Sequence, residues 1–158
     1  MADLSFDDKG TFLSLGTVLA FDYGVKRTGV ASGELEIGVA HPLATIRADT
    51  RAARFAAIDK LIREWQPGLL VVGLPLHPDG TAHELTRAAR NFAAELEARY
   101  QVPLFLHDER YTSAVAEAEM QTTGKSGVKS RHPESKHGVD ARAAQLILQG
   151  FFDERATA

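Results

Sequence analysis

The run Val18-Leu19-Ala20-Phe21-Asp22-Tyr23-Gly24-Val25-Lys26-Arg27-Thr28-Gly29-Val30-Ala31 decides how the rest of the chain is read. Four apolar residues end in an acid, a glycine turn with two cations follows, and a second short apolar run begins. That pattern is two β-strands joined by a tight turn. The first strand shows no polar alternation, so it is buried on both faces at the centre of a sheet. Asp22 therefore stands where a buried strand emerges, a costly place for an unpaired charge. A cation, a metal ion or a set of hydrogen bonds would offset that cost. The plainer alternative is that Asp22 only opens the turn.

Beyond this turn, Thr28 to Ser32 form the second strand, and Ile37 to Ala40 continuing toward Ile46 form the third, joined through Gly33 to Glu36. Connections this short join antiparallel neighbours. Pro42 removes a ladder donor, which marks the third strand as an edge. From Asp49 to Trp65 the period becomes helical, with Phe55, Ile58, Leu61, Ile62 and Trp65 on one side and Arg54, Asp59, Lys60, Arg63 and Glu64 on the other. Pro67-Gly68 stops it. Leu69 to Gly73 are a fourth, wholly apolar strand, and a helix between two buried strands implies a parallel crossover.

A second helix is expected from Ala82 to Tyr100, a fifth strand from Val102 to His107, and a third helix from Thr112 or Ser113 to Gln121. Thr123 to Gly138 form a polar, mostly basic loop, too long for a simple connection. A last helix from Val139 to Asp153 puts Asp140, Ala144, Ile147 and Phe151 on one stripe, which turns Asp140 inward. The order βββαβαβαα describes an α/β fold: a mixed five-stranded sheet with helices on its faces. The expected organisation is an N-terminal extension over residues 1–16, one domain over 17–153 and a short tail over 154–158.

Composition narrows the partners. The 158 residues are 44% hydrophobic and 25% charged, which suits one globular domain. The absence of cysteine removes thiolate zinc sites and suits a cytoplasmic location. No apolar run approaches the roughly 20 residues of a bilayer span, so no membrane partner is expected. With a formal net charge of -3, any nucleic-acid affinity must come from a local patch.

Three carboxylates hold special positions: Asp22 at the end of the first strand, Glu109 beside Asp108 at the end of the fifth, and Asp140 opening the last helix. Parallel strands of an open α/β sheet present their carboxyl ends to one crevice. Acid clusters lacking His and Cys favour hard cations such as Mg²⁺ or Mn²⁺. Lys26, Arg27 and Arg110 adjoin the acids, and Lys125, Lys129, Arg131 and Lys136 precede Asp140. Such cations suit a polyanion whose phosphate approaches the carboxylates. Taken singly, Asp140 could be a helix-start charge, residues 108–110 a surface ion-paired turn, and the basic loop a solvated one.

The segments Asp22 to Ala31, Gly73-Leu74-Pro75-Leu76 with Asp79-Gly80, Asp108-Glu109-Arg110-Tyr111-Thr112-Ser113 and Asp140-Ala141-Arg142-Ala143-Ala144 resemble, in order, the motifs of the YqgF (RuvX) family. The resemblance covers Val18 to Phe152. It implies an RNase H-like fold with sheet order 3-2-1-4-5 and a phosphodiesterase dependent on two divalent ions. Asp22, the acid of the Asp108-Glu109-Arg110 motif and Asp140 would be their ligands. It also implies either maturation of the 5′ end of pre-16S ribosomal RNA on a ribosomal particle or resolution of Holliday junctions in branched DNA. A non-catalytic RNA- or ribosome-binding module is a further alternative.

One departure from the wider resolvase superfamily stands out. Those relatives carry an acid on the fourth strand, which here ends in Gly73-Leu74-Pro75, so the acid must come from the fifth strand, roughly 10 Å from the first. Glu109 has the longer reach and is favoured over Asp108. Whether the protein acts as a monomer or a homodimer is left open by the sequence.

Overall fold

The computed structural model describes residues 16–77, 79–81, 84–109 and 138–157. Strands β1 (Thr17–Asp22), β2 (Arg27–Glu34) and β3 (Ala40–Arg47) are followed by helix α1 (Arg51–Trp65), strand β4 (Leu69–Leu74), helix α2 (Thr86–Tyr100), strand β5 (Leu104–Asp108) and helix α3 (Gly138–Thr157). The sheet order is β3-β2-β1-β4-β5. β2 runs antiparallel to β1 and β3, while β4 lies parallel to β1 and to β5. This is the 3-2-1-4-5 mixed sheet expected from the sequence. The expected third helix and most of the basic loop lie outside the described residues.

β1 is central because its four core residues, Val18 to Phe21, are fully buried with no polar position among them. Leu19 and Phe21 face a cluster built with Phe55 and Ile58 of α1 and Phe92 and Leu96 of α2. Val18 and Ala20 face α3, through Ala144, Ile147, Leu148 and Phe151. Strand alternation sends Asp22 to the α3 face.

Several boundaries differ from the sequence reading for identifiable reasons. β3 starts at Ala40, because Gly38 takes a positive φ of 71° in the preceding turn. Pro42 sits on the edge strand, where the register shifts opposite Val30 and Ala31. α1 begins one residue after Thr50, whose hydroxyl accepts from the Ala53 amide. α2 begins at Thr86, whose hydroxyl donates to the Pro75 carbonyl and ties the helix start to the end of β4. α3 runs to Thr157, so residues 154–157 continue the helix where a tail was expected.

Two side chains of α1 also depart from the helical pattern. Trp65, placed on the buried stripe, is 38% exposed at the helix end. Arg54, placed on the solvent side, is buried: its guanidinium donates to the Val25 carbonyl and stacks 5.1 Å from the centre of the Tyr23 ring. A long apolar stem with a charged head satisfies both environments. Arg54 thereby clamps the turn after Asp22.

Candidate active site

The site is built where β1, β2, β5 and α3 meet. Asp22 ends β1 and pairs in register with Gly29 of β2. A Cβ on Gly29 would fall well inside contact distance of the Asp140 carbonyl oxygen, so the first turn of α3 rests directly on the strand backbone. That contact brings Asp140 beside Asp22. The stripe Ala144, Ile147 and Phe151 anchors the same helix further along.

Glu109 arrives from the other side. A Cβ on Gly73, at the end of β4, would meet the Ile147 side chain and lie 2.6 Å from Glu109 Oε2. The space over Gly73 is thus filled by the carboxylate of Glu109, which follows the neighbouring strand. Phe105 packs on Phe151 and His107 on Gly150, both toward α3, while Leu104 packs with the opposite cluster. Asp108, the last residue of β5, shares the parity of Leu104, so the acid that turns over Gly73 is the next residue, Glu109.

The electrostatics record the crowding. Burial, reinforced by the Asp140 charge, pushes the Asp22 carboxyl up from 3.8 to about 7. Burial, then the charges of Asp22 and Asp108, push Glu109 up from 4.5 to about 8. Asp22 is therefore the shared neighbour of the other two acids. As the side chains stand, no three His, Cys, Asp or Glu groups among the described residues are close enough together to hold one metal ion. The structure brings the acids together in pairs about Asp22.

Arg27 supplies the nearest cation, its Nε lying 3.3 Å from Asp140 Oδ2. Arg27 is 55% exposed, so the pair opens to solvent on its outer side. Lys26 is exposed beside it. Arg110, Lys125, Lys129, Arg131 and Lys136 lie outside the described residues. His107 is buried next to Asp108, with its Nδ1 3.7 Å from Oε1 of Glu154 on α3 and its Nε2 2.8 Å from where a Gly150 Cβ would be. Burial lowers its pKa, against the raising influence of Glu154 and Asp108.

A family model described as "RuvX: Holliday junction resolvase" matches residues 16–154. The chain belongs to the RuvX family. It is 61% identical over 143 residues to a protein of Thiobacillus denitrificans, covering 90% of this chain and 95% of that one. It is 54% identical over 139 residues to one of Dechloromonas aromatica, covering 88% and 92%. Both carry the name "Putative pre-16S rRNA nuclease". A solved structure of T. thermophilus RuvC in complex with Holliday junction substrate aligns with TM-score 0.54 at 16% identity, over 89% of this chain and 95% of that one. At that identity the likeness is one of fold, and the fold is RNase H-like. RuvX members act as nucleases on nucleic acid, the chemistry toward which the acids and cations of this site already point.

The sequence made the acids visible through their positions at element ends. It left Arg54 and the two backbone approaches unseen, because helical period assigned Arg54 to solvent and nothing local marks Gly29 or Gly73 as contact points. The offset of Arg54 toward the β1–β2 turn is a tertiary fact.

Proposed function

We propose that this RuvX chain is a metal-dependent endonuclease that processes the 5′ end of pre-16S ribosomal RNA, with Asp22, Glu109 and Asp140 as its catalytic carboxylates. The observation that carries this reading is Asp22 at the end of the central strand, crowded between the two other acids: the Asp140 charge bears on it, and its own charge bears on Glu109. A divalent cation relieves such repulsion, and the donor set of carboxylate oxygens fits Mg²⁺ or Mn²⁺. Asp22, Glu109 and Asp140 would hold the two ions between them. When bound, they polarise a phosphate oxygen and lower the pKa of an attacking water.

The chain's own residues do the rest. β1 fixes Asp22, the Gly29 contact fixes Asp140, and Gly73 leaves room for Glu109. Lys26, Arg27 and Arg110 seat phosphates on either side of the scissile bond, and Lys125, Lys129, Arg131 and Lys136 add positive charge along the strand. Cleavage breaks the bond from phosphorus to the 3′ oxygen, leaving a 5′-phosphate and a 3′-hydroxyl. The names of the close relatives support precursor rRNA as the substrate. Junction resolution is the second reading, favoured by the family description.

Side-by-side cleavage of a pre-16S fragment and a synthetic four-way junction, with Mg²⁺ or Mn²⁺, tests the two. Preferential cut of the RNA at the mature 5′ end, lost in Asp22→Asn, is the expected result. Preferential junction cleavage would replace the substrate, and binding without cleavage at any divalent ion would replace the enzyme with a binding module.

A further inference from the structure

Beside the acids, on the β3 side, Lys26, Arg27, Arg47, Ala48 and Asp49 line an open cleft of about 480 Å³. Its floor is rigid: the Ala48 amide donates to the Lys26 carbonyl at 3.0 Å, which extends the β2–β3 ladder past its last paired residues. Arg27 and Arg47 are direct cross-strand partners, the first residue of β2 against the last of β3. Like charges set opposite one another in an antiparallel pair are destabilising. Asp49 does not neutralise them: neither Lys26 nor Arg47 has an ion-pair partner among the described residues. Arg27 is already engaged with Asp140. The cleft therefore faces solvent with three cations to one acid.

We infer that this cleft binds the sugar-phosphate backbone of the substrate beyond the scissile bond, with Arg47 as the outermost phosphate contact. The inference rests on the nuclease reading above and adds a direction to it: the polynucleotide leaves the carboxylates across β2 toward the β3 edge. Geometry supports the route. Arg27 lines the cleft and its Nε also lies 3.3 Å from Asp140 Oδ2, so one side chain joins the cleft to the nearest acid. Arg47 stands two strands from Asp22, roughly 10 Å away at ordinary strand spacing. A polynucleotide carries its charges at closer intervals than that along its axis, so a chain with one phosphate at the acids presents others near Arg47. The competing account is that Arg47 is an edge charge that only discourages strand-to-strand association.

The test measures binding of an end-labelled pre-16S fragment, and of single-stranded DNA of equal length, to the full chain by fluorescence anisotropy across a salt series. Asp22→Asn provides a background in which the probe is not cut. Adding Arg47→Gln is expected to weaken binding roughly 10-fold and to reduce the slope of log Kd against log salt by about 1. Arg63→Gln, the same charge change on α1 outside the cleft, serves as the control and should move neither. Arg47→Lys should restore much of the affinity. Equal losses for RNA and DNA identify a contact to phosphate, and a loss confined to one assigns the cleft to that polymer. Arg47→Gln should melt no lower than its parent, because it relieves the Arg27–Arg47 repulsion. If Arg47→Gln and Arg63→Gln bind alike, or if Arg47→Lys fails to rescue, Arg47 is an edge charge and the inference falls. If the Asp22→Asn background binds neither polymer, the nuclease reading fails first and takes the cleft with it.

Discussion

The two faces of the sheet differ in how closely a helix approaches at the end of β1, and only one of them carries the acids. On the α1–α2 face, Leu19, Phe21, Leu70 and Val72 meet Phe55, Ile58 and Leu96 around Phe92. The Phe92 ring lies 5.8 Å from Phe21, 4.9 Å from Tyr23 and 5.9 Å from Phe55. On the α3 face, Val18, Val71, Ile147, Leu148 and Phe151 pack a second core, but small residues are concentrated where α3 starts: Ala20, Gly29 and Ala31 on the strands and Ala141 and Ala144 on α3. Bulky contacts hold a helix away from its sheet, whereas small ones let backbones touch. Both faces supply apolar burial. The α3 face also positions the carboxylates, because a helix in backbone contact with β2 delivers Asp140 to Asp22.

The sharpest separation of the two faces comes from Asp22→Asn, which should cost about 10³-fold or more in cleavage, several kcal/mol of barrier, while the fold is kept. Retained metal-dependent cleavage by that variant would sink the site. Phe92→Ala on the opposite face should do the reverse: about 3–5 kcal/mol lost in denaturant unfolding, with cleavage per folded molecule retained.

Gly29→Ala tests the α3 face directly. Its methyl must displace the backbone of Asp140, for about 1–3 kcal/mol of stability together with loss of cleavage. Gly73→Ala meets only the side-chain ends of Ile147 and Glu109, which can turn aside, so its stability cost should be smaller while cleavage still falls. A Gly29→Ala protein with normal cleavage would break the link between backbone contact and the position of Asp140.

A pH series follows from the same crowding. Asp22 and Glu109 both bind protons more tightly in the folded state, with values of about 7 and about 8 against 3.8 and 4.5. Their contribution is therefore fully present below about pH 4 and is lost as pH rises through about 8. Urea unfolding without metal should show stability falling over that window. Mg²⁺ at pH 8 should restore part of it, and Asp22→Asn should flatten the curve. The smallest effect belongs to the exposed pair Arg51–Glu95 between α1 and α2, where Arg51→Gln should leave the urea unfolding midpoint nearly unchanged.

The elements, the helix faces and the inward aim of Asp140 were legible because each follows from local periodicity, whereas the sheet order 3-2-1-4-5 came from the family resemblance. Val18 to Phe21 read as central and are fully buried. Ala144, Ile147 and Phe151 read as one stripe and pack as one. Pro42 read as an edge residue and sits on the edge strand. Periodicity failed where a side chain answers to a distant element. Arg54 turns from the solvent side to a carbonyl on the β1–β2 turn, and Trp65 leaves its stripe because the helix ends there.

The sequence by itself determined the elements, their order and the acids at their ends, since apolar runs, turn residues and helical spacing act within a few residues. Only the tertiary structure decided which faces those acids share. Gly29 and Gly73 have no side chain to announce a role, and their effect lies in what they let approach: the backbone of Asp140 and the carboxylate of Glu109. The Arg27–Arg47 pairing is likewise set by strand register, which joins residues far apart in the chain. Contacts of that kind depend on how the sheet folds under its helices, and no local pattern encodes them.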